Sequence, residues 1–267
     1  MDVYGLIGNP VGHSLSPPMH EAAYDALEMD ARYVTFEPAE SAIEPSIRGA
    51  EALGISGINV TIPFKEVILE YVDPDPMARR IGAVNTVNFA TDPPTGLNTD
   101  AVGARRALVR HGVELAGATV VVVGAGGAAR AIVAMLDDAG ADRIAIANRT
   151  ESRAVELASL AKCATGHGLD AVAELVTKGN LLINATSVGM EEDRSPVPRS
   201  ALHADLCVMD IVYRPIETTL LEEAAAAGAT TIDGAWMLLY QGVEAFERWT
   251  GREAPVTEMN TALRDRL

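Results

Sequence analysis

The sequence predicts an α/β fold with mainly parallel sheets, and three observations carry that expectation. Strand-like and helix-like segments alternate along the 267 residues, as they must where parallel strands are joined by crossover helices. Hydrophobic residues make up 48% of the chain, much of it Ala, Val, Leu and Ile. That is ample for the core of one large domain or of two ordinary ones. The apolar run Val120–Val123 passes directly into Gly124-Ala125-Gly126-Gly127-Ala128-Ala129-Arg130, a glycine turn between a strand and a helix.

In order along the first part, Val3–Ile7, Arg32–Phe36, Gly57–Thr61 and Ala83–Phe89 read as strands. Pro17–Leu27 and Ala42–Leu53 read as the helices between them. Asp92-Pro93-Pro94-Thr95-Gly96 has the composition of a turn, and the segment from there to about Arg110 reads as a helix leaving the first lobe. The second part runs strand Thr119–Val123, helix Ala128–Ala139, strand Arg143–Ala147 and helix Glu151–Leu160. Short apolar strands follow at Leu181–Asn184 and Leu206–Val212. Glu217–Ala227 is an alanine-rich helix stopped by Gly228. A last helix, Trp236–Trp249, is expected to return to the first lobe. The domains expected are therefore 1–100, completed by 236–267, and 101–235.

Composition excludes several function classes. A net charge of −16 disfavours duplex nucleic acid and anionic membranes as partners, and 4% aromatics disfavour a base-stacking surface. The acids form no consecutive block, so a dispersed, salt-adapted surface is favoured over an acidic partner-binding face. Cys163 and Cys207 offer neither a C-x-x-C nor a disulfide framework, as suits a reducing cytoplasm. The chain opens on strand-like Val3–Gly8, from which no signal peptide is expected. Ala118–Leu136 is the most apolar stretch, but Gly124, Gly126, Gly127 and Arg130 interrupt it, so it reads as strand, turn and helix and not as a membrane span. The five histidines lack metal-ligand spacing. His13 and His20 are assigned to packing or surface roles, and no metal is expected.

Lysine usage marks a candidate site. Only Lys65, Lys162 and Lys178 are lysines among 21 basic residues, and Lys65 sits in Asn59-Val60-Thr61-Ile62-Pro63-Phe64-Lys65. An arginine cannot release a proton near neutral pH, whereas a desolvated lysine can. Downstream, Gly96-Leu97-Asn98-Thr99-Asp100 supplies a carboxylate able to pair with that ammonium. The competing reading is a solvated surface lysine.

The glycine turn fits a dinucleotide. Gly124 permits a tight turn, Gly126 lets backbone approach a pyrophosphate, and Ala129 lets helix and strand pack closely. Ala125, Gly127 and Ala128 complete the loop, and the helix N-terminus offers N–H groups to phosphate. After the next strand stand Asn148-Arg149-Thr150-Glu151-Ser152-Arg153. An acid there would bind a ribose 2′-hydroxyl; instead Asn148, Arg149, Thr150 and Arg153 suit a 2′-phosphate. NADP is the expected cofactor. The alternative is that these arginines serve surface solubility.

Further motifs resemble the shikimate dehydrogenase family from Tyr4 to the last helix. They are Ser14-Leu15-Ser16-Pro17, Asn59–Lys65, Gly82-Ala83-Val84-Asn85-Thr86, Asn98-Thr99-Asp100 and Asn184-Ala185-Thr186-Ser187-Val188-Gly189-Met190. Asp210-Ile211-Val212-Tyr213, Asp233-Gly234 and Gln241 complete the order. The resemblance implies reversible NADPH reduction of 3-dehydroshikimate to shikimate, in aromatic amino-acid biosynthesis. It also implies an α/β substrate lobe and a Rossmann NADP lobe separated by a cleft.

The resemblance places Ser14 and Ser16 at the substrate carboxylate. Thr61 offers a further hydroxyl, Asn85, Asp100 and Gln241 suit ring hydroxyls, and Tyr213 adds a phenol near the carboxylate. Ser14 and Ser16 could also cap the following helix, and Asn85 could close a turn. Thr186, Ser187 and Met190 match the family's segment beside the dinucleotide, with a core role the alternative for Met190. Gly234 is expected to let backbone approach the nicotinamide and Ile211 to pack on it. Lys65 would act as general acid and base with Asp100 as its holder; Asp100 as proton carrier is the alternative.

The expected partner is a small-molecule substrate, with a homodimer as the assembly considered and no nucleic acid or membrane. Three readings compete. An NAD-using quinate/shikimate dehydrogenase is disfavoured by Asn148-Arg149-Thr150. A methylenetetrahydrofolate dehydrogenase is disfavoured by the Ser14/Ser16 pair and by Asp233 and Gln241. A silent shikimate-binding sensor is disfavoured by retention of Lys65 and Asp100. The charge of −16 makes a separate prediction. At ~1 M KCl the Debye length shrinks to roughly 3 Å, so Tm should rise through a KCl series. A flat or falling Tm would leave the acidic surface unexplained.

Overall fold

A computed structural model describes residues Met1–Leu267. The chain divides into two compact units, Met1–Gly103 with Leu239–Arg266, and Ala104–Leu238.

The first unit contains β1 (Asp2–Ile7), α1 (Ser16–Ala26), β2 (Ala31–Phe36), α2 (Ile43–Ala52), β3 (Gly57–Val60), β4 (Asp73–Pro74), α3 (Pro76–Ile81), β5 (Thr86–Asn88) and β6 (Thr95–Leu97). Then α4 (Thr99–Arg110) begins. The sheet order is β2-β1-β3-β5-β6-β4. β1 lies between two parallel neighbours, β2 and β3, and its last four residues are buried, as a central strand requires. β2 is an edge strand whose first four residues alternate buried and exposed. β5 then runs antiparallel to both β3 and β6, so the sheet is mixed. Ile7, Ile47, Ile58, Val60, Phe64 and Ile68 form its main apolar cluster.

The second unit contains β7 (Thr119–Val123), α5 (Gly127–Asp138), β8 (Arg143–Ala147), α6 (Glu151–Ala158), β9 (Ala164–His167), α7 (Val172–Lys178), β10 (Leu181–Asn184), β11 (Cys207–Asp210), α8 (Thr219–Ala226) and β12 (Thr230–Ile232). The order β12-β11-β10-β7-β8-β9 is parallel throughout. It is the doubly wound order, which reverses direction between β7 and β10. The chain ends with α9 (Gly234–Thr250) and α10 (Val256–Arg264). The boundary between units falls within α4 and α9.

Several expectations needed correction. The strand read over Ala83–Phe89 is only Thr86–Asn88, because the Ala83 N–H closes α3 on Ala78 and the Val84 N–H donates to the Lys65 carbonyl. Thr95 and Gly96, read as turn, form β6 because they pair with Asp73 and Pro74. α3 went unread although its signals are present: Asp75 caps it by accepting the Ala78 N–H at 2.6 Å, Pro76 opens it, and Gly82 ends it at φ +74°. The edge strands β9 and β12, with α7 and the terminal α10, also went unread. Their short lengths give little periodicity to read.

An aromatic cluster joins α1, β2 and the end of α9. His20 stacks on Tyr33 with centroids 4.5 Å apart and planes 4° apart, and Tyr24 packs on Phe246. Trp249 donates its indole N–H to the Val87 carbonyl at 2.9 Å. Gly57 is required beneath that ring, since a Cβ there would fall 2.3 Å from the indole nitrogen.

His20 is fully buried, and neither ring nitrogen has a hydrogen-bond partner. Burial pulls its pKa from 6.5 down to about 3. Between those values the unfolded chain binds a proton that the native fold refuses, so stability is lost as pH falls through this window. The slope is about 1.4 kcal/mol per pH unit for one such group. His20→Phe keeps the ring stack and removes the titration. In thermal melts from pH 8 to pH 5, the variant should gain on the wild type progressively below about pH 6.5. A Tm difference independent of pH would refute this account.

Candidate active site

Lys65 ends a short turn after β3. The Phe64 N–H donates to the Thr61 carbonyl at 2.9 Å, and the buried Phe64 ring anchors the turn in the core. The Lys65 carbonyl accepts the Val84 N–H at 2.8 Å, which fixes the backbone carrying the ammonium. Its Nζ lies 2.7 Å from Asp100 Oδ2, with the side chains 26% and 12% exposed.

Asp100 stands in the first turn of α4, where an acid is favoured by the helix dipole. Asn98 starts this helix, its Oδ1 accepting the Ala101 N–H at 3.4 Å. Asn85 Nδ2 donates to Asp100 Oδ1 at 2.8 Å, so both carboxylate oxygens have donors. The Asn85 amide is oriented in turn by the Thr99 N–H, which donates to its Oδ1 at 2.7 Å. Asn85 thus holds the helix start and the carboxylate together, which goes beyond closing a turn.

Asn59, Tyr33, Thr86 and Thr99 extend this centre, and none had been assigned a site role. Tyr33 donates its hydroxyl to Asn59 Oδ1 at 2.7 Å. Asn59 Nδ2 donates to Thr86 Oγ1 at 3.0 Å and to the Asn85 carbonyl at 3.3 Å. The Thr86 and Thr99 hydroxyls lie 3.1 Å apart, and each donates to Asn85 Oδ1 at 3.2 Å. Burial raises the pKa of Tyr33, against a bond from the Ser16 hydroxyl, so it stays a donor. Asn59 sits inside the Asn59–Lys65 run, and an asparagine within an otherwise apolar central strand was the available signal.

Ser14 is half-buried and Ser16 buried. Ser14 Oγ accepts the Ser16 N–H at 3.2 Å, but α1 has no side-chain cap at Leu15, so neither serine acts as its N-cap. Gly8 lies between Val11 and Thr61: a Cβ there would come within 2.3 Å of Thr61 Cγ2 and 2.5 Å of Val11 Cγ1. Gln241 is buried on α9, beside Gly242, which packs closely on Met19 of α1.

In the second unit Gly124 has φ +114°, and a Cβ there would lie 2.8 Å from the Ala185 carbonyl oxygen and 2.9 Å from Thr186 Cγ2. Glycine is therefore required where β7 and β10 diverge. Gly126 is the N-cap of α5 and has no side-chain cap. Nothing lies within 4 Å of a Cβ built on Gly126 or Gly127. The start of α5 is therefore uncrowded at Gly126 and Gly127, at the helix end where N–H groups can receive a phosphate. Ala125 and Ala128 are half-buried on this loop, while Ala129 is fully buried. Asn148 Nδ2 donates to the Thr150 carbonyl at 2.9 Å, shaping the turn before α6. Arg149, Thr150 and Arg153 are exposed around it, so the donor set fits a phosphorylated nucleotide.

A buried network shapes the other side of the glycine turn. Asn184 Nδ2 donates to Asp210 Oδ1 at 2.9 Å and to the Val188 carbonyl at 3.2 Å. Asp210 also accepts the Val212 N–H at 3.0 Å and the Thr218 hydroxyl at 2.8 Å. Burial pushes the Asp210 pKa up to about 6, against the pull of those bonds. Thr186 spends its hydroxyl locally, donating to Asn184 Oδ1 at 2.7 Å and accepting the Val188 N–H at 3.1 Å.

Ser187 is exposed and Met190 is 44% exposed, which removes the core reading of Met190. Gly234 is closely packed. A Cβ there would meet the Ile211 and Val212 carbonyl oxygens at 2.4 and 2.5 Å, so its glycine is required by packing onto that strand exit. Ile211 and Tyr213 are half-buried, and burial raises the Tyr213 pKa. The half-buried thiols of Cys163 and Cys207 are also raised by burial, Cys207 to about 11, which keeps both unreactive.

Comparison with known proteins covers nearly the whole chain. Three family models match: the shikimate dehydrogenase substrate binding domain over residues 6–87, shikimate / quinate 5-dehydrogenase over 106–220, and the shikimate 5′-dehydrogenase C-terminal domain over 234–264. The NADP(+) shikimate dehydrogenase of Haloarcula marismortui is 65% identical, with 100% of both chains covered. A crystal structure of a shikimate dehydrogenase with NADP+ has a TM-score of 0.93 and 40% identity, covering 100% of this chain and 96% of that one. The Thermus thermophilus enzyme with NADP(H) and shikimate has a TM-score of 0.90 and 37% identity, with 100% of both chains covered.

Proposed function

The chain belongs to the shikimate dehydrogenase family, and on that premise we propose that it interconverts 3-dehydroshikimate and shikimate with NADP. The observation that carries this reading is the Lys65–Asp100–Asn85 constellation, closed at 2.7 and 2.8 Å within the first unit. Residues 1–100 with 236–267 form the substrate-binding domain, and 101–235 the NADP-binding domain. The glycine turn after β7, with Arg149, Thr150 and Arg153 after β8, supports the second assignment. No acid stands at the end of β8 to oppose a 2′-phosphate, the next being Glu151.

Bound NADPH supplies the hydride for the 3-keto carbon, and NADP+ accepts it in the reverse direction. The protein manages the matching proton. In reduction, the Lys65 ammonium donates to the oxygen developing at that carbon; in oxidation, the neutral amine takes the hydroxyl proton. Asp100 holds the ammonium and the reacting hydroxyl in register. Both of its oxygens already accept bonds, which suits an orienting partner better than a proton carrier. Ser14 and Ser16 bind the carboxylate with Tyr213 nearby, and Thr61, Asn85 and Gln241 serve the ring hydroxyls. Ser187, Met190 and Ile211 line the dinucleotide, while Thr186 shapes the turn that presents them.

Two variants test the assignment. Lys65→Met keeps the aliphatic stem and removes the proton carrier, so kcat should fall by about 10²–10⁴, with a far smaller change in shikimate Kd. Near-normal kcat with weakened binding would make Lys65 a binding residue and pass the proton to Asp100. For the cofactor, kcat/KM with NADP should exceed that with NAD by about tenfold to a hundredfold, the scale of one charge-assisted bond, and Arg149→Ala should erode the ratio. Equal or better efficiency with NAD would favour an NAD-using quinate/shikimate dehydrogenase.

A further inference from the structure

The segment between β1 and α1 carries Ser14 and Ser16, and a residue without any role above determines its course. Glu37 follows β2, and its Oε1 accepts two successive backbone N–H groups, from Val11 at 2.7 Å and Gly12 at 2.8 Å. The partners lie 26 and 25 residues away in sequence, so this is a tertiary tie and not a local turn. Two neighbouring bonds run the same way: Asn9 Nδ2 donates to the Pro38 carbonyl at 3.1 Å, and the Gly8 N–H donates to the Phe36 carbonyl at 3.2 Å.

The tie is passed on toward the serines. The Val11 carbonyl accepts the Ser14 N–H at 3.0 Å, and Ser14 Oγ accepts the Ser16 N–H at 3.2 Å. The serine segment is thus tied at its N-terminal end to Glu37. A carboxylate is an unfavourable neighbour for a site that receives an anion, since like charges repel. Glu37 offsets that cost by charge-assisted bonds to two amides, which a neutral acceptor would hold less firmly.

We propose that Glu37 is a positioning residue for the substrate carboxylate, holding the 11–14 turn so that Ser14 and Ser16 engage the ligand together. It does not itself touch substrate. The proposal rests on the assignment of Ser14 and Ser16 to the shikimate carboxylate.

The test is calorimetric titration of the full-length chain with shikimate, without nucleotide, alongside steady-state kinetics. Glu37→Asp keeps the charge but is one methylene too short to reach both N–H groups, and Glu37→Ala removes the acceptor. Both should weaken shikimate binding about tenfold, the equivalent of one such bond. The loss should appear in KM for shikimate more than in kcat, with NADP affinity unmoved. Glu37→Gln, which presents the same oxygen without its charge, should bind shikimate between the wild type and Glu37→Ala. If the wild type binds shikimate and the Asp and Ala variants bind it equally well, the inference fails even if their Tm falls, since Glu37 would then be structural only. A wild type that binds no shikimate would overturn the substrate assignment itself, and the inference with it.

Discussion

Asn85 is the residue on which the first unit's polar centre depends. Its backbone N–H donates to the Leu97 carbonyl at 3.0 Å and its carbonyl accepts the Val60 N–H at 2.8 Å, so it joins β3 to β6. Its side chain accepts from Thr99 and donates to Asp100, so it also joins that sheet to the start of α4. One amide therefore sets the angle at which the helix enters and the position of the carboxylate that pairs with Lys65. Fully bonded polar groups inside a protein specify one arrangement, because every alternative strands a donor or acceptor away from water. Asn85 is 3% exposed and Asn59 4% exposed, so water is not available to replace a lost partner.

The second unit solves a similar problem with different parts. Its sheet is parallel throughout, so the exits of β7 and β10 diverge and leave room at their carboxyl ends. Gly124 occupies the bend where any side chain would strike Ala185 and Thr186. Asp210, fully buried, gathers donors from Asn184, Val212 and Thr218. It thereby ties the exit of β10 to the exit of β11 and to the start of α8. The residues that would line a nucleotide are thus held by side chains that make no such contact.

Charge is distributed to leave these centres undisturbed. Of the acidic residues only Asp100, Asp210 and Glu244 are buried, so almost the whole negative excess lies in contact with solvent. Asp100 is paired with a cation and Asp210 with neutral donors. Glu244 accepts from Arg248 at 2.7 Å one helical turn away. Each buried acid therefore has a compensating partner, as burial of charge demands.

The alternation of strands and helices and the glycine turn were legible in the sequence because those signals are local, and Lys65 stood out as one of three lysines. The strands β7, β8 and β10 were legible to the residue, since parallel strands buried on both faces are unbroken apolar runs. Gly124 and Gly126 were legible because a tight turn has few alternatives to glycine. Most pairings across long stretches of chain emerge only on folding. Asn85 with Asp100, Asn59 with Tyr33, and Glu37 with Val11 and Gly12 are each separated by 15 to 26 residues. Gly234 shows the same limit from the other side: its glycine was legible, but that it yields to the Ile211 carbonyl depended on which strand exit lay beneath it. Opposite charge let the sequence pair Lys65 with Asp100, but a neutral amide or a backbone N–H carries no such mark, and its partner is chosen only when the sheet brings the two within hydrogen-bond distance.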